Sequence, residues 1–256
     1  RTFIKENYAH VGADGRKYLE FPDGTQASFP ERIPSSLRFQ TNPEDQYRRL
    51  YSSEMDNLIK SLNLPRYGLS EYLNIAEQSS ASIAEKRRLE NLSRAGKRMM
   101  GFCRSTFYKR MDSSGLSFLL TLYRHALRNM LYVYAIENEL PLPVGDENAL
   151  PDDYVEDIAA EDTLFATENN DAVFVDGQTI SIPTDKRTYE AKAIEYYAAI
   201  QNKNGINWIE PKFFTKKLKT HLLNDFKTIM KMFALCGDWE PMQDPKLNKL
   251  IETIES

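Results

Sequence analysis

Apolar positions along the chain recur mostly at spacings of three and four. From Pro43 onward, Tyr47, Leu50, Tyr51, Met55, Leu58 and Ile59 follow that spacing and predict a helix. Thr41 or Asn42 supplies a capping side chain for it. A second helix is expected from Ser80 or Ser82 to about Asp112, where Ser113-Ser114-Gly115 interrupts the pattern and caps a further helix to about Asn138. That helix has a long apolar stripe of Leu116, Leu119, Leu120, Tyr123, Leu127, Met130, Leu131 and Tyr134. Thr121, Arg124, His125 and Arg128 fall on its other side. Residues 187–202 and 211–235 return to helical spacing, and DPKLNKLIETIES starts a last helix.

Period-two alternation is confined to short stretches. DGRKYLEFPDGTQASF, residues 14–29, alternates around Pro22-Asp23-Gly24, a turn signal between strands. FPERIPSSLRF is too rich in proline for a helix and reads as extended. LPLPVGDENALPDD reads as a loop, and AVFVDGQTISIP suggests a hairpin turning at Asp176-Gly177. The expected fold is mainly α, a helical bundle with one or two small β-hairpins. Short connections in the middle of the chain favour antiparallel neighbours.

Charge changes this picture more than overall composition does. The 256 residues carry a net charge of −4, with 41% hydrophobic and 27% charged positions, the proportions of an ordinary globular protein. Between Lys86 and Arg128, however, eleven Lys/Arg face two acids, a local net of +9. Glu137 to Val175 holds twelve Asp/Glu and no Lys or Arg, a local −12. The acidic run either folds over the basic block or leaves it to bind a polyanion. No apolar run approaches the roughly 18–20 residues that span a bilayer, so no membrane partner is expected. Two cysteines, Cys103 and Cys236, give no disulfide framework and fit a reducing, cytoplasmic setting. The first residue is Arg rather than Met, and a piece of a longer chain is expected.

Catalytic signatures are absent from the sequence. It has no GxxxxGK[ST] phosphate loop, and His10, His125 and His221 stand apart from any metal-ligand spacing. Cys103 reads as a core thiol, and the acids Asp152, Asp153, Glu156 and Asp157 read as a solvated loop. No catalytic, cofactor or metal residue is therefore expected. On an unbroken helix through 89–111, Leu92, Met99, Cys103 and Phe107 share one side, opposite Arg94, Lys97, Arg98 and Arg104. This basic side is either a solvated face or a surface that tracks nucleic-acid phosphates. Arg124 and Arg128, one turn apart on the next helix, extend it, with Lys109 at its margin. Arg110 falls with the apolar side, so it is expected to be buried against a partner group or to pin a neighbouring domain.

GFCRSTFYKRMDSSGLSFLLTLYRHALRN resembles a segment of bacterial Swi/Snf-type superfamily-two helicases, in a branch often carrying a phospholipase-D-like domain. There a helical region lies between two RecA-like ATPase lobes. The opening RTFIKENYA…FPERIPSSLRF is similar to the family's exit from its first lobe, and GDWEPMQDPKLNKLIETI to the start of its second. The resemblance implies a linker over 1–45, a helical domain with a basic face over 46–140 and an acidic loop over 141–188. A helical continuation over 189–240 and the first helix of the second lobe over 241–256 complete it. It further implies that ATP and Mg belong to the lobes of a full-length parent, that the partners are those lobes and DNA or RNA, and that this chain connects rather than catalyses. The rival expectation is a non-catalytic interaction module whose basic helices dock on an acidic partner.

Overall fold

The computed structural model describes residues 7–12, 15–28, 45–93, 96–146, 181–201 and 206–255. The chain divides into two compact units, residues 1–38 and 39–256. The first holds a three-stranded antiparallel sheet of β1 (His10–Val11), β2 (Lys17–Glu20) and β3 (Gln26–Ser28), in that order. Tyr18 pairs with Ser28 and Glu20 with Gln26. Between them Asp23 accepts from the Thr25 amide and hydroxyl, and Gly24 takes φ +80, a value that glycine adopts freely. The expected Pro22-Asp23-Gly24 turn is therefore present.

The second unit is mainly α. Its described helices are α1 (Gln46–Leu50), α2 (Ser53–Ser61), α3 (Ile75–Gln78), α4 (Ile83–Ser93), α5 (Gly96–Ser113) and α6 (Gly115–Glu137). They continue with α7 (Lys186–Gln201), α8 (Lys216–Cys236) and α9 (Pro245–Glu255). A 3₁₀ segment spans Pro65–Tyr72, and two short 3₁₀ turns precede α8 and α9. The single helix expected from Pro43 is instead two. Asp45 caps α1, and Ser52, extended at ψ 151, accepts from the Met55 amide to start α2. A serine hydroxyl that satisfies an exposed helix N–H makes a restart at this point favourable. Helices α4 and α5 cover the stretch expected as helix over about 80–112. Residues 141–146, expected as loop, include β4 (Leu142–Asp146), which pairs antiparallel with β5 (Ile206–Ile209). Two prolines and a register irregularity hid this short strand from the alternation pattern. The hairpin expected at residues 172–183, the acids 152–157 and the candidate caps Thr41 and Asn42 lie outside the described residues.

Helix α6 is the centre of the unit, packed by α5, α7, α8 and β4. Its buried residues go nearly all the way round, from Phe118 and Leu119 to Ala126, Met130 and Val133. A helix covered on every side needs apolar residues beyond one stripe. It therefore draws in Leu122 and Val133, and with them His125, Arg128 and Asn129. Aromatic rings fill the α6–α7–α8 junction: Tyr189 lies 5.5 Å from Tyr123 and 5.1 Å from Phe226. Offset and edge-on rings at such distances are favourable packing.

Two polar ties fix the bundle. In the first, the Tyr47 hydroxyl accepts from the Gly115 amide at 3.0 Å and donates to Asp244 at 3.2 Å. Asp244 in turn caps α9 through the Lys246 and Leu247 amides. Trp239 closes this junction so tightly that a Cβ on Gly115 would meet its ring at 2.0 Å. Ser114 caps α6 by accepting from Ser117, as its sequence predicts. In the second tie, the buried Asp225 of α8 accepts from the Asn63 and Leu64 amides, both at 2.7 Å. These bonds hold Leu64 in the left-handed region at φ 53. Burial raises the Asp225 pKa, and the hydrogen bonds from Asn63 and Leu64 oppose that rise.

Candidate functional site

Polar groups converge where α5 packs against the middle of α6. A narrow cleft there is lined by Cys103, Thr106, Phe107 and Arg110 from α5, and by Thr121, Arg124, His125 and Arg128 from α6. Tyr67 of the 3₁₀ segment completes the wall. Its free volume is about 30 Å³, roughly the space of one water.

His125 forms the floor and is only 3% exposed. Its ring is held between Tyr67, stacked at 5.9 Å, and Phe107, edge-on at 5.6 Å. Arg66, itself 7% exposed, donates from Nη2 to His125 Nδ1 at 3.0 Å and from Nε to Asn129 Oδ1 at 3.0 Å. A guanidinium cannot accept, so Nδ1 must be the unprotonated nitrogen and the proton sits on Nε2. That Nε2–H has no hydrogen-bond partner among the described residues. Burial first, then the charges of Arg66 and Arg128, keeps the His125 pKa well below the usual value of 6.5. The imidazole is therefore neutral near pH 7 and presents one fixed donor.

The residues that the sequence singled out separate into distinct groups. Arg110 is exposed, not buried as expected. The buried stripe of α5 runs Cys103, Phe107, Met111, and each step of four residues turns it about 40° around the axis. By the last turn the stripe has rotated away from Arg110. Arg104, on the opposite flank, is drawn inward instead and donates from Nη2 to the Leu62 carbonyl at 2.7 Å. Its role in the fold thus departs from the expected phosphate-facing position. Lys109 is exposed and Arg124 half-buried, whereas Arg128 is only 8% exposed. Arg94 lies outside the described residues, as do the side chains of Lys97 and Arg98. Cys103 and Cys236 are buried and not joined in a disulfide, and Cys236 has its pKa pushed to about 12 by burial.

Sequence reasoning missed Arg66 and set His125 aside as isolated. Fifty-nine residues separate the two, and no local spacing signals their contact. No group of three or more His, Cys, Asp or Glu is placed to hold a metal among the described residues. No described helix is long and apolar enough to cross a membrane. The chain matches no family model, no curated protein and no solved structure.

Proposed function

We propose that this chain is the helical segment between the two RecA-like lobes of an ATP-dependent helicase or translocase, where it joins the lobes and contacts nucleic-acid phosphates. ATP and Mg act in the parent's lobes, since this chain has no phosphate loop. The observation that carries the reading is the Tyr47–Gly115–Asp244 tie. It links the turn inside the family-like stretch, residues 101–129, to the cap of α9 in the family-like stretch at the chain's end. A segment that transmits motion between lobes needs such a stiff connection. Lys109, Arg110 and Arg124 supply solvent-reachable cations on the same α5–α6 pair.

Phosphate contacts of this kind are salt-dependent and largely blind to base sequence. Replacing Lys109, Arg110 and Arg124 with Glu should abolish duplex binding and DNA-stimulated ATP hydrolysis by the parent. Unchanged binding and hydrolysis would remove the assignment. The run of twelve acids between Glu137 and Val175 favours a second reading, in which the basic helices dock on an acidic protein surface. Converting Asp152, Asp153, Glu156 and Asp157 to their amides separates the two. Duplex binding that remains absent across a salt series in both forms of the chain favours the docking module.

A further inference from the structure

Helix α9 is anchored at its first turn and buries none of its own residues. Asp244 accepts from the Lys246 and Leu247 amides, and Lys246 Nζ donates to the Asp112 carbonyl at 2.6 Å. Beyond that anchor, Leu247, Leu250, Ile251 and Ile254 are between 40% and 74% exposed. At about 100° per residue these four fall on one face, within an arc of about 100°. An exposed apolar stripe rimmed by polar residues marks an interaction surface.

The order of residues points to the partner. From Lys246 to Glu255 the helix reads KLNKLIETIE, and its two halves mirror each other about the point between Leu250 and Ile251. Leu250 reflects onto Ile251, Leu247 onto Ile254 and Asn248 onto Thr253. Lys249 reflects onto Glu252 and Lys246 onto Glu255, so each cation is matched by an acid. A second copy running antiparallel about a two-fold axis presents this reflected order. The charges agree with it. Lysines near the N-terminus and glutamates near the C-terminus oppose the dipole of their own helix. The ion pair within α9, Lys249 to Glu252 at 2.9 Å, runs in the less favourable Lys-to-Glu direction. An antiparallel neighbour lays its acidic end beside the basic end and offsets both costs.

We infer that α9 is a self-association surface, on which a second copy of this chain packs antiparallel with the two-fold axis between Leu250 and Ile251. Leu247 then lies over Ile254 of the second copy, and the two Leu250 side chains meet beside the axis. Two helices of 11 residues bury less than the roughly 1,200 Å² of a standard interface. The dimer is therefore weak, with a dissociation constant of about 10–100 µM. This surface is separate from the α5–α6 cations of the proposed function.

The test is sedimentation equilibrium of the 256-residue chain over about 1–500 µM, where the mean mass should rise toward that of a dimer. Leu250→Glu sets two carboxylates side by side at the axis and should weaken the dimer about tenfold or more. Leu250 is exposed, so this variant should keep the wild-type circular dichroism. Cysteine cross-linking reads the orientation. Leu250→Cys should form a disulfide-linked dimer on mild oxidation, since each copy's position 250 meets the other's. Ile254→Cys alone should not, because the two copies of that position stand about 10 Å apart along the helices. Mixed with a Leu247→Cys chain, it should cross-link. A chain that stays monomeric throughout overturns the inference and leaves the stripe to the second lobe of the proposed function. A dimer that Leu250→Glu leaves intact overturns it too, as does Ile254→Cys alone cross-linking as readily as Leu250→Cys.

Discussion

Two buried polar networks meet α6, one at its first residue and one in its middle, and they differ in the acceptors that close them: the Asp244 carboxylate in the first, His125 Nδ1 and Asn129 Oδ1 in the second. At the Tyr47 junction Gly115 donates to Tyr47, Tyr47 to Asp244 and the α9 amides to Asp244 again, while the buried Nε1–H of Trp239, whose ring closes the junction, has no hydrogen-bond partner among the described residues. Lys246 adds its charge over the Tyr47 ring at 4.5 Å and donates to the Asp112 carbonyl at 2.6 Å. At the His125 cleft the Nε2–H of His125 and the Nδ2 of Asn129 have no hydrogen-bond partner among the described residues. A charged acceptor shared by several donors rigidifies the chain around it, whereas an unpaired buried donor costs stability. The contrast makes the first region the stronger tie of the fold and the second a place where buried polar groups cost stability.

The largest effect should come from Gly115→Ala. A Cβ at 2.0 Å from the Trp239 ring has no room, and the ring is packed edge-on to Tyr47 at 5.3 Å. Overpacking of this kind costs about 3 kcal/mol or more, readable as a lower urea midpoint. Tyr47→Phe keeps the packing and removes only the hydroxyl. It leaves the Gly115 amide unpaired and should cost about 1–2 kcal/mol. If Gly115→Ala is neutral, the junction is looser than its geometry states, and the comparison between the regions fails.

Particular elements show what the sequence could tell. The Ser114 cap, the extent of α6 and the hairpin at Gly24 are local, written in residues that touch within a few positions, and each matches expectation. The mainly α class follows from the same periodicity. The site was legible only in part. Arg124 and Arg128 stood out as cations, but their relation to His125 needs Arg66, which a 3₁₀ segment brings from far away in sequence. Burial of Arg128 was hidden because a central helix covers its polar side as well as its apolar stripe. For Arg110 the error came from drawing the buried side of α5 as straight, whereas the stripe through Cys103, Phe107 and Met111 turns about 40° at each four-residue step. Strand β4 was masked by prolines, and its partner β5 lies some sixty positions away.

A smaller effect should separate the regions by pH. The His125 pKa in the folded chain lies well below 6.5, so between these values the unfolded chain binds a proton that the folded chain refuses. Stability is then full above about pH 6.5 and declines as pH falls toward the folded value. Comparing urea unfolding at pH 7.5 and 5.5, the wild-type chain should lose about 1 kcal/mol more than His125→Gln. Arg66 and Arg128 are the charges acting on the ring, so Arg66→Met should reduce the same difference. Equal pH slopes in wild type and His125→Gln would mean that the imidazole is not held neutral.

The smallest effect belongs to Arg110, and it makes the sharpest contrast with Arg104 on the same helix. Arg110 is exposed and makes no salt bridge among the described residues, so Arg110→Gln should move stability by no more than about 0.5 kcal/mol. Arg104→Gln removes the 2.7 Å bond to the Leu62 carbonyl, which lies in the partly buried loop between α2 and the 3₁₀ segment, and should cost about 1–2 kcal/mol. The sequence assigned these two arginines in reverse, Arg104 to solvent and Arg110 to the interior. Measuring both by urea unfolding tests whether the stripe through Cys103, Phe107 and Met111 turns as the structure has it. A costly Arg110→Gln beside a neutral Arg104→Gln would restore the sequence assignment.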